Sequence, residues 1–268
     1  MTTHRLKMPF KPLLMIILAL FALTVQGCFH SSSSGGVVGI TPDADPTGYY
    51  DVSGTAMVDG GMLEITDLQA MVNDNRIMMM STEKGLLYDG IITDISGNGF
   101  TADFTIYTDG ENPITATASG SIFEKSIEGT LSGSGAGSGT FELFYAEGAE
   151  QQVADLTRIE NRYWDGDAAI GPNYAFNINM QGVLTDPTSA GFNVPIFDGC
   201  GINGTVTPIN DTSLYEVDAE LTNCDVTTVS NTNYTGFAVS RTNVNVDDTL
   251  VLVLSNGTYS PNGELIVN

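Results

Sequence analysis

Along most of this chain, apolar and polar residues alternate in short runs broken by turn residues. Phe100, Ala102, Phe104 and Ile106 put apolar groups on one side of an extended segment, the period-two signature of a half-buried strand. Tyr215, Val217, Ala219 and Leu221 repeat the pattern in the second half. Between Thr249 and Ser255, Leu250, Leu252 and Leu254 alternate with valines, so that segment is apolar on both faces. The dipeptides Asn98-Gly99, Asn203-Gly204, Asn256-Gly257 and Asn262-Gly263 read as hairpin turns. So do Asp59-Gly60, Asp89-Gly90, Asp109-Gly110, Asp165-Gly166 and Asp198-Gly199, because Asn, Asp and Gly tolerate the left-handed backbone of tight turns. The spacing predicts an all-β fold, barrel or sandwich. One stretch has a helical period instead. Ala149, Val153, Leu156 and Ile159 form a single stripe and predict a short helix over Ala149–Ile159.

The two flanks of that helix look alike. Tyr49-Tyr50 recurs as Tyr163-Trp164, and Tyr88-Asp89-Gly90 as Ile202-Asn203-Gly204, both 114 residues later. The strand headed by Phe100 recurs at Tyr215, and Gly120-Ser121-Ile122-Phe123 resembles Gly236-Phe237-Ala238-Val239. The order of features is kept, which predicts two similar antiparallel β modules in tandem. The tract Ser132–Gly139 is composed like a flexible linker, yet Thr140–Tyr145 continues directly as a strand. It is either a linker or a loose hairpin inside the first module.

The N-terminus departs from this pattern. Arg5, Lys7 and Lys11 precede an apolar run from Leu13 to Val25, the layout of a secretory signal. The run is too short for a comfortable membrane-spanning helix, which needs about 20 apolar residues. Val25-Gln26-Gly27-Cys28 then resembles the bacterial lipobox, with Gln26 a less usual occupant of its position. That resemblance implies cleavage before Cys28 and covalent acylation of it, palmitate included. Several acyl chains satisfy the need of stable anchoring for more than one lipid signal. Phe29, not Asp, follows Cys28, and by resemblance to Gram-negative lipoproteins this implies the outer membrane. The segment from Ser31 to Gly36 has the composition of a tether. The chain then divides into a signal peptide (1–27), a lipidated Cys with its tether (28–46), a first β module (47–145), and a short helix with a second β module (146–268).

Charge narrows the partners. Of nine basic residues, Arg5, Lys7 and Lys11 precede Cys28, leaving six against 32 acidic ones, a formal charge of −26. Such a surface disfavours nucleic acid, which is bound by Lys/Arg patches. It equally disfavours polybasic membrane contact. Contact with the membrane is expected through the lipid alone. Beyond Cys28 two cysteines remain, Cys200 and Cys224. An isolated pair in an oxidising compartment predicts a disulfide, and the segment between them corresponds to about 3 kcal/mol by loop entropy.

Catalytic chemistry is sparse. The only histidines are His4, in the signal, and His30, in the tether, so Ser-His-Asp and Cys-His catalysis have no base in the folded body. His-built zinc or copper sites are missing for the same reason. Ser81-Thr82-Glu83-Lys84 matches the S-x-x-K of serine β-lactamases, but the companion motifs of that family are absent, and a hairpin turn explains the segment better. The glycine tract closes no phosphate-binding register and is followed by a strand rather than a helix. A carboxylate hydrolase would draw on Asp165 with Asp167, or Glu124 with Glu128. Calcium, the one cofactor considered, would draw on loop acids: Asp43 with Asp45, Asp165 with Asp167, and Asp247 with Asp248. Trp164 after a short helical turn resembles the opening of lipocalin-like and avidin-like barrels, with Arg162 where their glycine usually stands.

The expectation is therefore a non-catalytic lipid-anchored envelope module, binding or structural, with an envelope protein as one kind of partner. The alternatives are a lipocalin-like carrier of a small apolar ligand, with a cavity lined by Met78, Met80 and Phe104, and a carboxylate-dependent hydrolase.

Overall fold

A computed structural model describes residues 43–108, 111–147, 152–166, 168–170, 174–185, 200–222, 224, 230–242 and 248–267. The first half holds eight strands: β1 (Gly48–Val58), β2 (Leu63–Asn73), β3 (Arg76–Ser81), β4 (Leu86–Ser96), β5 (Gly99–Thr108), β6 (Ile114–Ile122), β7 (Ser126–Gly133) and β8 (Gly139–Phe144). Each pairs antiparallel with the next, and β8 closes on β1. Tight turns enforce this up-and-down order. Asn73 pairs with Arg76 and Ser96 with Gly99, leaving two-residue loops whose Asp74 and Gly97 have φ of 52° and 57°, as such hairpins require.

The second half holds β9 (Arg162–Gly166), β10 (Ala168–Ile170), β11 (Tyr174–Ile178), β12 (Val183–Thr185), β13 (Cys200–Pro208), β14 (Leu214–Thr222), β15 (Thr232–Thr242), β16 (Asp248–Ser255) and β17 (Asn262–Val267). Pairing of β17 with β9 closes a second eight-strand ring, with β10 attached to β17 as an extra strand. Closure leaves no long free edge in either ring. The protein is thus all-β, with two closed antiparallel barrels in tandem.

Strand registers make the repeat exact enough to number. Gly90 faces Phe104 across β4–β5, and Gly204 faces Ala219 across β13–β14. Following the pairings around each ring matches Ala118 with Gly236, Leu131 with Leu254, and Leu143 with Leu265. The closures agree independently: Tyr50 bridges Tyr145 in the first barrel, and Trp164 pairs with Val267 in the second. One sequence match shifts. Gly120 corresponds to Ala238, not Gly236, a difference of two residues that leaves every side chain on its own face.

Three buried clusters result. Alternation sends Tyr50, Val72, Met79, Tyr88, Phe104, Ile127 and Leu143 into the first barrel. Trp164, Phe176, Ile202, Tyr215, Leu252 and Leu265 go into the second. The third cluster lies between the barrels. Met71, Met78, Met80 and Leu87, on the outside of β2–β4, pack against Leu214, Phe237, Val239, Val251 and Val253 on the outside of β14–β16. This explains the doubly apolar β16, whose leucines fill one barrel while its valines face the other. Burial of each such side chain is worth about 1.5–3 kcal/mol relative to exposure, so the barrels are joined by a core of their own.

Two expectations change. Where a helix over Ala149–Ile159 was expected, the described residues hold a single 3-10 turn, Leu156–Arg158, capped by the Asp155 carboxylate accepting from Thr157 N at 2.9 Å. Ala149 lies outside the described residues, and Val153 is exposed to solvent. Ala154 and Ile159 instead pack into the second barrel. Of the two readings of the glycine tract, the hairpin inside the first module holds and the linker does not. The tract is the β7–β8 hairpin, with a 3-10 turn at Gly135–Gly137, and Ala136 packs on the first barrel's core.

Candidate functional site

The interiors come first, because an apolar ligand would sit there. Of the three residues expected to line a chamber, only Phe104 faces inward. Met78 and Met80 point the other way, into the seam, because they flank the inward Met79 on β3. Phe104 occupies space rather than framing it. Its ring lies edge-on to Tyr88, with centroids 6.4 Å apart, and a Cβ at Gly90 would come within 2.3 Å of it. Gly90 thus serves a close approach within a strand, not the turn its dipeptide suggested. Asn203-Gly204 and Asn262-Gly263 also fall inside strands, in β13 and β17.

The ends of the first barrel are covered. At one, Tyr88 Oη donates to the Ala136 carbonyl at 3.0 Å, holding the glycine turn across the mouth. At the other, the segment before β1 crosses over. Ala44 N donates to Gly97 O, Gly97 N to Asp43 Oδ1, and Tyr50 Oη to Pro46 O, each at 2.9 Å. Burial drives the Tyr50 and Tyr88 hydroxyls well above the ordinary tyrosine range, and the nearby Tyr145 and Asp45 push Tyr50 further. The second barrel is covered where Trp164 enters. Its Nε1 donates to Ile159 O at 3.0 Å, and Tyr215 Oη donates to Asp155 O at 2.8 Å. Trp164 is fully buried, as a core residue beneath a barrel end.

The sequence candidates are spread out. Ser81 ends β3 and donates to the Asp67 carboxylate, while Glu83 N donates to Asp67 at 2.8 Å and Lys84 N to Ser81 Oγ at 3.1 Å. That is the β3–β4 turn. Asp43 and Asp45 accept backbone N–H groups of Gly97 and Thr47. Asp165 lies on β9; Asp167, Asp247 and the side chain of Asp248 lie outside the described residues. Among the described residues no three His, Cys, Asp or Glu side chains gather as a metal site. Glu124 lies in the β6–β7 turn, and Glu128 stands on β7 opposite Glu142 of β8, all three exposed. Cys28 and the side chain of Cys200 lie outside the described residues. Cys224 is buried against the second core.

What the sequence reading missed is the seam and its polar rim. Arg76 Nε and Nη2 grip Asp89 at 3.0 and 2.9 Å. Its Nη1 reaches Thr235 Oγ1 at 2.9 Å, and its guanidinium lies 5.8 Å from the Phe237 ring centroid. Held by Asp89 within its own barrel, this one side chain reaches the other barrel by a hydrogen bond and a cation–π contact. The Tyr107 and Ser255 hydroxyls meet across the seam at 3.0 Å. Tyr49 Oη donates to Gln69 Oε1 at 2.9 Å, Gln69 Nε2 reaches Glu264 at 3.4 Å, and Arg241 pairs with Glu264 at 2.5 Å. The signal for all this was Arg76–Met80, a strand apolar on both faces.

Among the open grooves of the described residues, two lie along the sides of the first barrel. One, of about 750 Å³, runs beside the seam between Asp89, Ile91, Tyr107 and Gly257. The other, of about 510 Å³, lies over β6–β8 and β1–β2, between Ser119, Glu128, Thr140 and Glu142. No family model matches this chain, and no curated protein matches it at a significant level. Among solved structures it is similar to a Bacteroides fragilis protein provisionally named an outer membrane protein, at 11% identity over 83% of this chain and 97% of that one, with a TM-score of 0.27.

Proposed function

We propose that this protein is a non-catalytic, lipid-anchored module of the bacterial cell envelope, a two-barrel body that presents an acidic outer surface on a short tether. The anchor rests on the resemblance of Val25–Cys28 to the lipobox, and the outer membrane on Phe29 after it. The observation that carries the non-carrier reading is the filling and capping of the first barrel. Phe104, Tyr88, Tyr50 and Phe141 occupy its interior, and a strap and a glycine turn cover its ends. A lipocalin-like carrier needs an open chamber of a few hundred cubic ångströms. Hydrolysis by Glu124 and Glu128 finds no support in two exposed carboxylates on a hairpin. We also propose a Cys200–Cys224 disulfide. Gly201 pairs with Thr222; Cys200 begins β13 one residue before that pair, and Cys224 follows the end of β14 by two residues.

Two measurements test this reading. In cells fed labelled palmitate, the wild-type chain should carry label and fractionate with outer membranes, and Cys28→Ser should lose both. Label without dependence on Cys28 refutes the anchor. The purified Cys28→Ser protein should not enhance the fluorescence of N-phenyl-1-naphthylamine. Stoichiometric, saturable uptake of that probe would restore the carrier.

A further inference from the structure

The seam joins two different faces. The first barrel offers the outside of β2–β4, the second the outside of β14–β16. A contact between unlike faces, when both faces recur on each unit, generates rings where its rotation closes and open chains where it does not. Both do recur here. The β14–β16 face corresponds on the first barrel to β5–β7. By register, Phe237, Val239, Val251 and Val253 match Ser119, Ser121, Glu128 and Thr130. The β2–β4 face has its counterpart on β11–β13, where Asn177, Thr185 and Gly201 stand for Met71, Met78 and Leu87. Each barrel thus keeps one apolar face, used in the seam; its counterpart on the first barrel is polar and largely exposed, and its counterpart on the second carries Asn177, Thr185 and Gly201 in place of large apolar side chains.

We infer that the β5–β7 face of the first barrel, with β8 at its rim, is a second copy of the docking surface, matched by register to the face that covers β2–β4 and blunted by Glu128 and Glu142 against the β2–β4 face of another copy of this chain. Three observations support this. The face is concave, the groove of about 510 Å³ described above. Glu128 sits directly opposite Glu142, and like charges so placed destabilise a sheet, so the barrel itself has no use for the pair. In the second barrel the matching positions are Val251 and Glu264, and there Glu264 pairs with Arg241. The position of Arg241 falls to Phe123 in the first barrel, and among the described residues no cation pairs with the two acids. Arrays of repeats end on polar faces for the same reason.

The test exchanges the faces in the mature chain carrying Cys28→Ser. Ser119→Phe, Ser121→Val, Glu128→Val and Thr130→Val are combined with Phe237→Ser, Val239→Ser, Val251→Glu and Val253→Thr. The first barrel then carries both apolar faces, and the protein should associate into rings or open oligomers whose scattering mass rises above the monomer's over a roughly hundredfold concentration range. Wild type should stay at monomer mass throughout. Should eight changes prevent folding, judged by Trp164 emission, the four first-barrel substitutions alone decide. They should give weaker association, because each chain's own second barrel competes for the β2–β4 face. Thr93→Val on the first barrel, with Thr205→Val and Thr207→Val on the second, exposed positions off the β5–β7 face, provide the control and should leave a monomer. A folded, monomeric exchange variant overturns the inference. So does equal association of the control, or association of wild type that Thr130→Arg abolishes.

Discussion

The two barrels fill the same interior with opposite choices of size. At one pair of facing positions the first barrel has Phe104 and Ala116, and the second has Ala219 and Tyr234. At another the first has Gly129 and Phe141, and the second has Leu252 and Gly263. The bulk moves one strand sideways while the sum is roughly kept, as native packing density demands. On the outside the difference has another meaning. Across β14–β16 and its counterpart β5–β7, equivalent positions are apolar where the other barrel covers them and polar where water does. Interior differences between the repeats are therefore exchangeable in pairs, while exterior differences decide what each barrel may touch.

The strongest way to break that comparison is to move one exterior residue across. Val251→Glu gives the second barrel the residue of the first, in the middle of the seam and beside Glu264. An uncompensated charge there should destabilise the chain by about 3–5 kcal/mol or open the seam. Urea unfolding should change from one transition to two, and proteolysis should cut between 145 and 162. A single unshifted transition would mean that the seam contributes little.

Moving an interior pair sharpens it. A Cβ at Gly129 would lie 2.6 Å from the Phe141 ring, so Gly129→Leu alone should overpack at about 1–3 kcal/mol. Phe141→Gly alone empties the core at about 3–5 kcal/mol, by analogy with large-to-small changes. The double variant adopts the second barrel's solution. Its loss should fall short of the sum by about 1–3 kcal/mol in a double-mutant cycle. Strict additivity would show that the volumes do not compensate.

A third prediction touches one barrel only. Reduction of the proposed Cys200–Cys224 bond should lower stability by about 3 kcal/mol, with loss confined to the second barrel's transition once Val251→Glu has separated the two. Two alkylatable thiols in the unreduced protein would remove the bond from the account.

The all-β class, the repeat and the strand faces were legible because period two and turn composition are local properties. Orientation toward a second body was not. Met78 and Met80 alternate with Met79, and alternation says only that the two sets oppose each other, not which set faces inward. Glycine misled in the same way. Asp89-Gly90 has the composition of a hairpin turn, but Gly90 sits in mid-strand to admit Phe104, a long-range requirement that no neighbouring residue announces. The stripe from Ala149 to Ile159 had a helical period, yet Ala154 and Ile159 are drawn into a barrel end, where tertiary burial outweighs local pattern. The seam itself was half visible, in a β16 apolar on both sides.

The smallest expected effect compares the barrels through their tyrosines. Burial raises Tyr50 and Tyr88 in the first barrel, and Tyr215 and Tyr234 in the second, above the ordinary value of 10.0. The unfolded chain would lose these protons near pH 10 while the folded chain keeps them, so above that pH the unfolded state binds fewer protons. Stability is therefore complete below pH 10 and falls as pH rises through the folded values. In the first barrel the loss should be larger, since its pair is raised furthest. Tyr88→Phe removes the hydroxyl bonded to Ala136 O, which should lower neutral-pH stability by about 1 kcal/mol while flattening the alkaline slope. Urea midpoints between pH 8 and 11, read for wild type and Tyr88→Phe, separate the two terms. A slope unchanged by the substitution would mean that Tyr88 ionises no later in the folded barrel than in the unfolded chain, and that the glycine turn does not seal that end against water.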